Sequence, residues 1–175
     1  GIDYSTAALL GGDAALAAEF AGGDFVTIYL APRDYHRVHM PMAGTLRLAR
    51  FIPGDLFSVN ATMADSVPGL FARNERIACV FDTPAGPLAV VLVGALFVGS
   101  MSLAWAGQIR DEGPRKPRDL PCRDPLIALD RGAELGWFNM GSTVVVLFAP
   151  HGPALAGAIG AGRAVRVGEP IGLPR

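Results

Sequence analysis

The chain has 175 residues, of which 51% are apolar and 18% charged, with a formal net charge of −1. That is enough chain for one domain with a real core, and the near-neutral balance excludes a global basic field of the kind that recruits nucleic acid. The two cysteines, Cys79 and Cys122, make neither a disulfide framework nor a C-x-x-C site, which points to a reducing compartment.

The opening "GIDYSTAALL" lacks the basic and apolar segments of a signal peptide. A turn of helix is expected over Ser5 to Leu10. Asp13 is placed to cap a helix in "AALAAEFA", with Gly22 and Gly23 to end it. From there the pattern turns to strands, because short apolar runs alternate with Gly and Pro. Phe25 to Leu30 ("FVTIYL") alternates. So does Thr45 to Phe51, which predicts Leu46 and Leu48 on one face and Arg47 and Ala49 on the other. Arg76 to Phe81 and Leu88 to Val93 flank the turn residues of "DTPAGP" and predict a hairpin. Ala95 to Trp105 predicts a further strand or two. "GQIRDEGPRKPRDLPCRDP" reads as a polar, proline-rich loop, Thr143 to Phe148 as a buried strand, and "GRAVRVGEPIG" as a short strand and turn. The stretch Thr83 to Ile109 has no charged residue, and roughly 20 apolar residues can span a bilayer as a helix. Here the run is broken by Pro84, Gly86, Pro87, Gly94, Gly99 and Gly107 and is rich in β-branched residues, so buried strands describe it better. No repeat or linker divides the chain. The expectation is one domain over residues 1–175, mainly β, a compact sandwich or barrel-like sheet with short N-terminal helices.

Several residue groups are candidates for chemistry. His36 and His39 lie in "YLAPRDYHRVHMP", bracketed by Pro32 and Pro41, and His151 stands alone. H-x-x-H without an evident third ligand is a weak metal pattern, and no metal is expected. A pair of surface histidines beside Arg33 and Arg37 fits the spacing equally well. Ser142 follows a glycine in "NMGSTV". This is not the G-x-S-x-G of an α/β-hydrolase elbow, and by itself it reads as a turn entering a strand. Arg110, Arg115, Lys116 and Arg118 suit either anionic lipid headgroups or a solvated loop. "GAIGAGRA" lacks the Lys-Ser/Thr of a phosphate-binding loop. "NAT" at Asn60 fits a glycosylation sequon without a secretory signal to support it. Tyr4, Phe20, Trp137 and Phe138 read as packing residues.

Taken together and in order, "TIYLAPRDYHRVHMP", "PGDLFSVN", "LFARNERI", "VGALFVGS" and "GWFNMGSTVVVLFAP" resemble the phosphatidylserine decarboxylase family. The resemblance runs from "YSTAALLGG" to "VRVGEPIG", and its first and last blocks are the most specific. It implies a proenzyme that cuts itself at Gly141–Ser142, leaving Gly1–Gly141 as one piece and Ser142–Arg175 as the other. Met140 stands where family motifs often have Leu or Gly. Ser142 Oγ would attack the Gly141 carbonyl to form an ester, whose elimination and hydrolysis leave a pyruvoyl group in place of Ser142. Small Gly141 permits the close attack.

By motif position His39 is the base in that step and His36 the acid that later protonates the carbanion left by loss of carbon dioxide. A ketone of this kind condenses with the substrate amine and accepts the released electrons. Tyr29 and Ser58 are implied as residues that orient substrate. The implied partners are phosphatidylserine, a membrane surface bound peripherally, each piece for the other after cleavage, and a second copy in a homodimer. The implied location is the cytoplasmic face of a bacterial membrane.

Family members carry a catalytic aspartate, and often membrane-binding helices, ahead of the segment matching "YSTAALL". Asp34 does not occupy that position, and the expectation is that this chain by itself processes poorly or not at all. Two other classes remain on the residues alone. One is a non-catalytic β domain that binds lipid or a partner. The other is a serine hydrolase using Ser142 and His39.

Overall fold

The structure is a computed structural model that describes residues 3–96, 100–110, 113, 115–121 and 126–174. Cys122 and residues 97–99 of "VGALFVGS" lie outside the described residues.

Two short helices open the fold. Helix α1 (Thr6–Leu9) starts at Ser5, whose hydroxyl accepts the Ala8 N–H at 3.0 Å. Helix α2 (Ala14–Ala18) starts at Asp13, whose carboxylate accepts the Leu16 N–H at 2.9 Å. These are the N-cap bonds that satisfy otherwise orphaned helix donors. The α-helical part ends at Ala18, short of the expected Gly22, and tighter bonds such as Phe20 N–H to Ala17 O carry the chain on.

Then come β1 (Phe25–Leu30), β2 (Arg37–His39), β3 (Gly44–Ile52), α3 (Ala61–Ser66), α4 (Leu70–Arg73), β4 (Arg76–Thr83) and β5 (Gly86–Val93). The rest are β6 (Met101–Leu103), β7 (Gly107–Ile109), β8 (Arg118–Asp119), β9 (Ala128–Leu129), β10 (Glu134–Phe138), β11 (Ser142–Phe148), β12 (Ala154–Leu155) and β13 (Gly172–Leu173). Asn60, the sequon residue, is the N-cap of α3 and accepts the Met63 N–H.

The larger sheet runs β1-β11-β5-β4-β3-β8, with β9 also on β3, and the smaller runs β2-β10-β6-β7. All of these strand pairings are antiparallel. Neither sheet closes into a barrel among the described residues, so of the two expected forms the sandwich is the one found. One face of the larger sheet packs on the smaller sheet through Val144, Val146, Phe148, Leu92 and Phe51 against Val38, Met101, Leu103, Leu135 and Phe138. The other face packs on α1 and α2 through Val145, Leu147, Val91 and Val93 against Leu9, Leu10, Leu16 and Phe20. Three layers result, and β11, buried along its whole length, is apolar on both faces because it lies between two covers.

One expected alternation is overturned. Leu46 packs into the inter-sheet core and Leu48 into the helix-side core. The register of β3 against β4 shifts between them. A bulge inserts one residue and so flips the faces of the residues beyond it. Among the described residues no helix is long and apolar enough to cross a membrane. Thr83 to Ile109 instead holds the ends of a hairpin, β5, β6 and β7.

Candidate active site at Gly141 and Ser142

Ser142 is the first residue of β11 and is fully buried. It pairs with Leu30 of β1. On the other side Thr143 pairs with Val93, so Gly94 continues that ladder beside Ser142. Side chains alternate along a strand. Val144, Val146 and Phe148 enter the inter-sheet core, so Ser142 faces that side and Thr143 faces the helices. The Ser142 hydroxyl and the Thr143 hydroxyl are both buried without a hydrogen-bond partner. Buried polar groups are nearly always paired, so each exception asks for a reason.

The residues just before Ser142 form a step from water to core. Met140 is 45% exposed and Ser142 is 0% exposed, with Gly141 half-buried between them. A Cβ at position 141 would stand 3.3 Å from the Leu30 carbonyl oxygen and 3.3 Å from two ring carbons of Pro32. Glycine fits this corner without displacement. Asn139 holds the step in place by donating its side-chain amide to Ser100 Oγ.

The histidine motif lies on the neighbouring sheet, bonded to the strand that feeds this corner. The Phe138 N–H donates to the His36 carbonyl at 3.0 Å. Arg37 pairs across with Trp137, lies over its ring and forms an ion pair with Glu134 at 2.5 Å. Glu134 holds the Arg37 guanidinium above its ordinary pKa, first through that hydrogen bond and then through charge. Thus "RVH" and the "GWF" that leads into "NMGST", about a hundred residues apart, lie on adjacent strands. His36 is two residues from Val38, which enters the inter-sheet core, and its Nε2 is buried without a partner.

His39 is held differently. Its Nδ1 is 2.8 Å from the Gly132 carbonyl oxygen, and its Nε2 is 2.8 Å from the Tyr35 hydroxyl. A carbonyl only accepts, so Nδ1 carries the proton and Nε2 presents the lone pair, to which Tyr35 donates. The Tyr35 ring stacks on His39 at 5.7 Å. His39 lines a cavity of about 760 Å³ whose wall also includes Leu30 and Val144. These are the strand partner of Ser142 and its next neighbour on the same face.

Of the other expected residues, Ser58 is brought to this end of the sheet and Tyr29 is turned from it. The buried Asn74 side chain accepts the Phe57 N–H and donates to the carbonyls of Phe57 and Gly94, at 3.0, 2.8 and 2.9 Å. It therefore ties the residue before Ser58 to the end of β5. Tyr29 pairs with Thr143 and alternates with Ile28 and Leu30, so its half-exposed ring is on the opposite face from Ser142. Asp34 closes its own turn by accepting the Ala31 N–H at 2.8 Å. His151 is exposed beyond the far end of β11. Of the basic loop, Arg118 lies over the Phe51 ring at 4.3 Å and Arg115 donates to the Gly54 carbonyl. Among the described residues no group of His, Cys, Asp and Glu is placed to hold a metal ion.

Asn74 and Asn139 are the residues that sequence reasoning missed. Their one signal was a polar amide inside otherwise apolar blocks, "LFARNERI" and "GWFNMGST".

The phosphatidylserine decarboxylase family profile matches residues 1–173. The phosphatidylserine decarboxylase proenzyme of Pseudomonas paraeruginosa is 57% identical over 178 residues, covering 100% of this chain and 61% of that protein. The proenzymes of Pseudomonas aeruginosa and Pseudomonas entomophila are 56% and 54% identical, over 100% and 99% of this chain and 61% of each relative. The chain spans about three-fifths of the length of these curated relatives. With the family profile covering almost every residue and the histidine and Gly-Ser-Thr motifs set on the two packed sheets, the chain belongs to the phosphatidylserine decarboxylase family.

Proposed function

We propose that this protein decarboxylates phosphatidylserine to phosphatidylethanolamine, using a pyruvoyl group that it makes from Ser142 by cutting its own Gly141–Ser142 bond. The observation that carries the reading is the buried, unpartnered Ser142 hydroxyl behind a corner where a side chain at Gly141 would crowd Leu30 and Pro32 at 3.3 Å. An unsatisfied buried hydroxyl destabilises a fold by about 1–3 kcal/mol. Thr143 carries a like hydroxyl toward the helices, so what sets Ser142 apart is its place beside Gly141 on the inter-sheet face; conversion to a ketone removes its unsatisfied donor.

In the cut, Ser142 Oγ bonds to the Gly141 carbonyl carbon as the Gly141–Ser142 amide bond breaks, and the hydroxyl proton passes to the freed amine. His39 is assigned on the family resemblance to carry that proton, through Nε2 once it exchanges the Tyr35 hydroxyl for the serine, since Nδ1–H is committed to Gly132. Elimination then moves a proton from Cα and breaks the Ser142 Cβ–O bond, releasing Gly141 as a carboxylate. Water replaces the remaining nitrogen, which leaves as ammonia. Afterwards β11 remains fixed between β1 and β5, so the new terminus stays where the serine was.

The pyruvoyl group supplies an electron sink for the pair left when carbon dioxide departs. The chain's own residues do the rest. His36 Nε2, buried and free of protein partners, is the assigned proton donor to carbon. The inter-sheet core excludes water from Ser142. Ser58 is assigned on the family resemblance to orient substrate, held through its neighbour by Asn74, whereas Tyr29, on the opposite face from Ser142, does not reach the reacting group in this arrangement. Further parts of the reading are peripheral contact with the cytoplasmic face of a bacterial membrane, continued association of the two pieces, and a homodimer.

The test is Ser142→Ala in the protein expressed from its whole coding sequence. Denaturing electrophoresis is expected to show one uncut band, against two for the unmodified protein. Borohydride in the presence of an amine should trap label only on the piece starting at Ser142. A serine hydrolase would instead take a fluorophosphonate probe at Ser142, and a binding domain would take neither label.

A further inference from the structure

The cavity that contains His39 has features the reaction centre alone does not explain. Its floor is the inter-sheet face of β1 and β11, formed by Ile28, Leu30, Val144, Val146 and Phe148. That face is continuous with Ser142, because Ser142, Val144, Val146 and Phe148 are successive residues on one side of a strand. At about 3.3 Å per residue the floor extends roughly 20 Å from Ser142. At about 760 Å³ the cavity is in the range of small-molecule sites.

The outer wall is a strap, residues 165–172, pinned at its end by the pairing of β12 with β13. The strap turns at Arg166–Glu169, where the Glu169 N–H donates to the Arg166 carbonyl and the Arg166 N–H to the Glu169 carboxylate. Glu169 is thereby occupied within its own turn.

The cations at the rim are not all equivalent. Arg37 is engaged by Glu134 and Trp137. Arg131 and Arg166 are exposed, line the cavity, and have no carboxylate partner for their guanidinium groups among the described residues. Two arginines without a carboxylate partner, lining a cavity with an apolar floor, complement an anion that carries a tail. Guanidinium groups match phosphate oxygens in geometry and charge.

We propose that this cavity seats one acyl chain of an anionic phospholipid on the Ile28–Val146 floor while Arg131 and Arg166 hold its phosphodiester. Arg131 lies before the Gly141–Ser142 bond and Arg166 after it, so each piece contributes one arm and the lipid bridges them. This inference rests on the decarboxylase reading for the serine headgroup, and not for the tail or the phosphodiester.

The probe is dihexanoyl phosphatidylglycerol, which has a phosphodiester and two short chains but no amine to react. It is titrated calorimetrically, below its micelle concentration, into the protein expressed from its whole coding sequence. Saturable binding is expected, weakened roughly tenfold or more in Arg131→Gln/Arg166→Gln, and absent with glycerophosphoglycerol over the same range. Both arginines are exposed, so the variant keeps its fold, which its melting curve checks. An unchanged Kd in the double variant overturns the proposal. So does equal binding of glycerophosphoglycerol, which would leave a phosphate site without a chain site. If binding and its arginine dependence hold while phosphatidylserine yields no carbon dioxide, the decarboxylase reading fails and the lipid site stands. If carbon dioxide is released with the same KM in the double variant, the lipid site fails and the decarboxylase reading stands.

Discussion

The two faces of β11 differ in how they are covered. Toward the helices, Val145 and Leu147 meet Leu9, Leu10, Leu16 and Phe20 in a sealed core. Arg76 fixes that cover by donating to the carbonyls of Ala8, Leu9 and Asn74 at 2.6–2.7 Å. Toward the smaller sheet, Val144 and Val146 pack in a core but also line an open cavity, and that side holds Ser142 and the unpartnered His36 nitrogen. One strand thus has a closed face and a face that opens on a cavity, the latter carrying the proposed chemistry. An apolar run alone does not distinguish them. What does is whether the covering layer closes.

The largest effect should come from removing the clamp on the sealed side. Burial pushes the Arg76 guanidinium down to about 10, still charged at neutral pH, with backbone carbonyls as its hydrogen-bond partners. Arg76→Ala removes the donor to the Leu9 and Asn74 carbonyls, leaves Ala8 with the Gly11 N–H alone, and should destabilise the fold by about 4 kcal/mol, read by denaturant unfolding. Equal stability would show that the helices are held without it. Next, Val145→Ala and Val146→Ala compare one change on the two faces. The first opens a void in a closed core and should cost about 2–3 kcal/mol, while the second enlarges an existing cavity and should cost about 1 kcal/mol. Equal costs would remove the distinction between the faces.

A smaller effect concerns Asp13, which caps α2 and pairs with Arg50 at 3.0 Å. The Leu16 N–H, and after it Arg50, holds its carboxyl below the ordinary 3.8. The charged form therefore adds stability above pH 3.8 that is lost as pH falls through the lower folded value. Asp13→Asn should flatten acid unfolding in that window, and an unaltered acid limb would contradict the assignment. Smallest of all, Thr143→Val removes an unpartnered hydroxyl on the helix side and should leave stability equal or slightly raised and cleavage within about twofold. Loss of cleavage would move Thr143 into the reacting face.

Local pattern was enough for some of this. The alternation in "FVTIYL" and the turn residues in "DTPAGP" mark β1 and the β4–β5 hairpin, because strand periodicity and turn chemistry are properties of short segments. The faces of β3 were not legible, since a bulge near Arg47 depends on the pairing with β4. Strand β10 was missed because "ELGWF" is short and its burial comes from β2 and β6. Ser142, His36 and His39 were legible as motifs, through the resemblance rather than through spacing. Their arrangement was not, because two sheets must pack before a histidine and a serine a hundred residues apart share a core. Asn74 and Asn139 act through partners at positions 57, 94 and 100, which no local pattern reveals.

The central claim is that Ser142 is a cofactor precursor. Intact-mass spectrometry of the denatured protein, expressed from its whole coding sequence, tests it most directly. Two masses are expected, one ending at Gly141 and one starting at residue 142, the latter lighter than its serine form by the conversion of an amine and hydroxyl into a ketone and refractory to N-terminal sequencing. A single mass with Gly141 and Ser142 still joined, in protein that releases carbon dioxide from phosphatidylserine, would contradict the account.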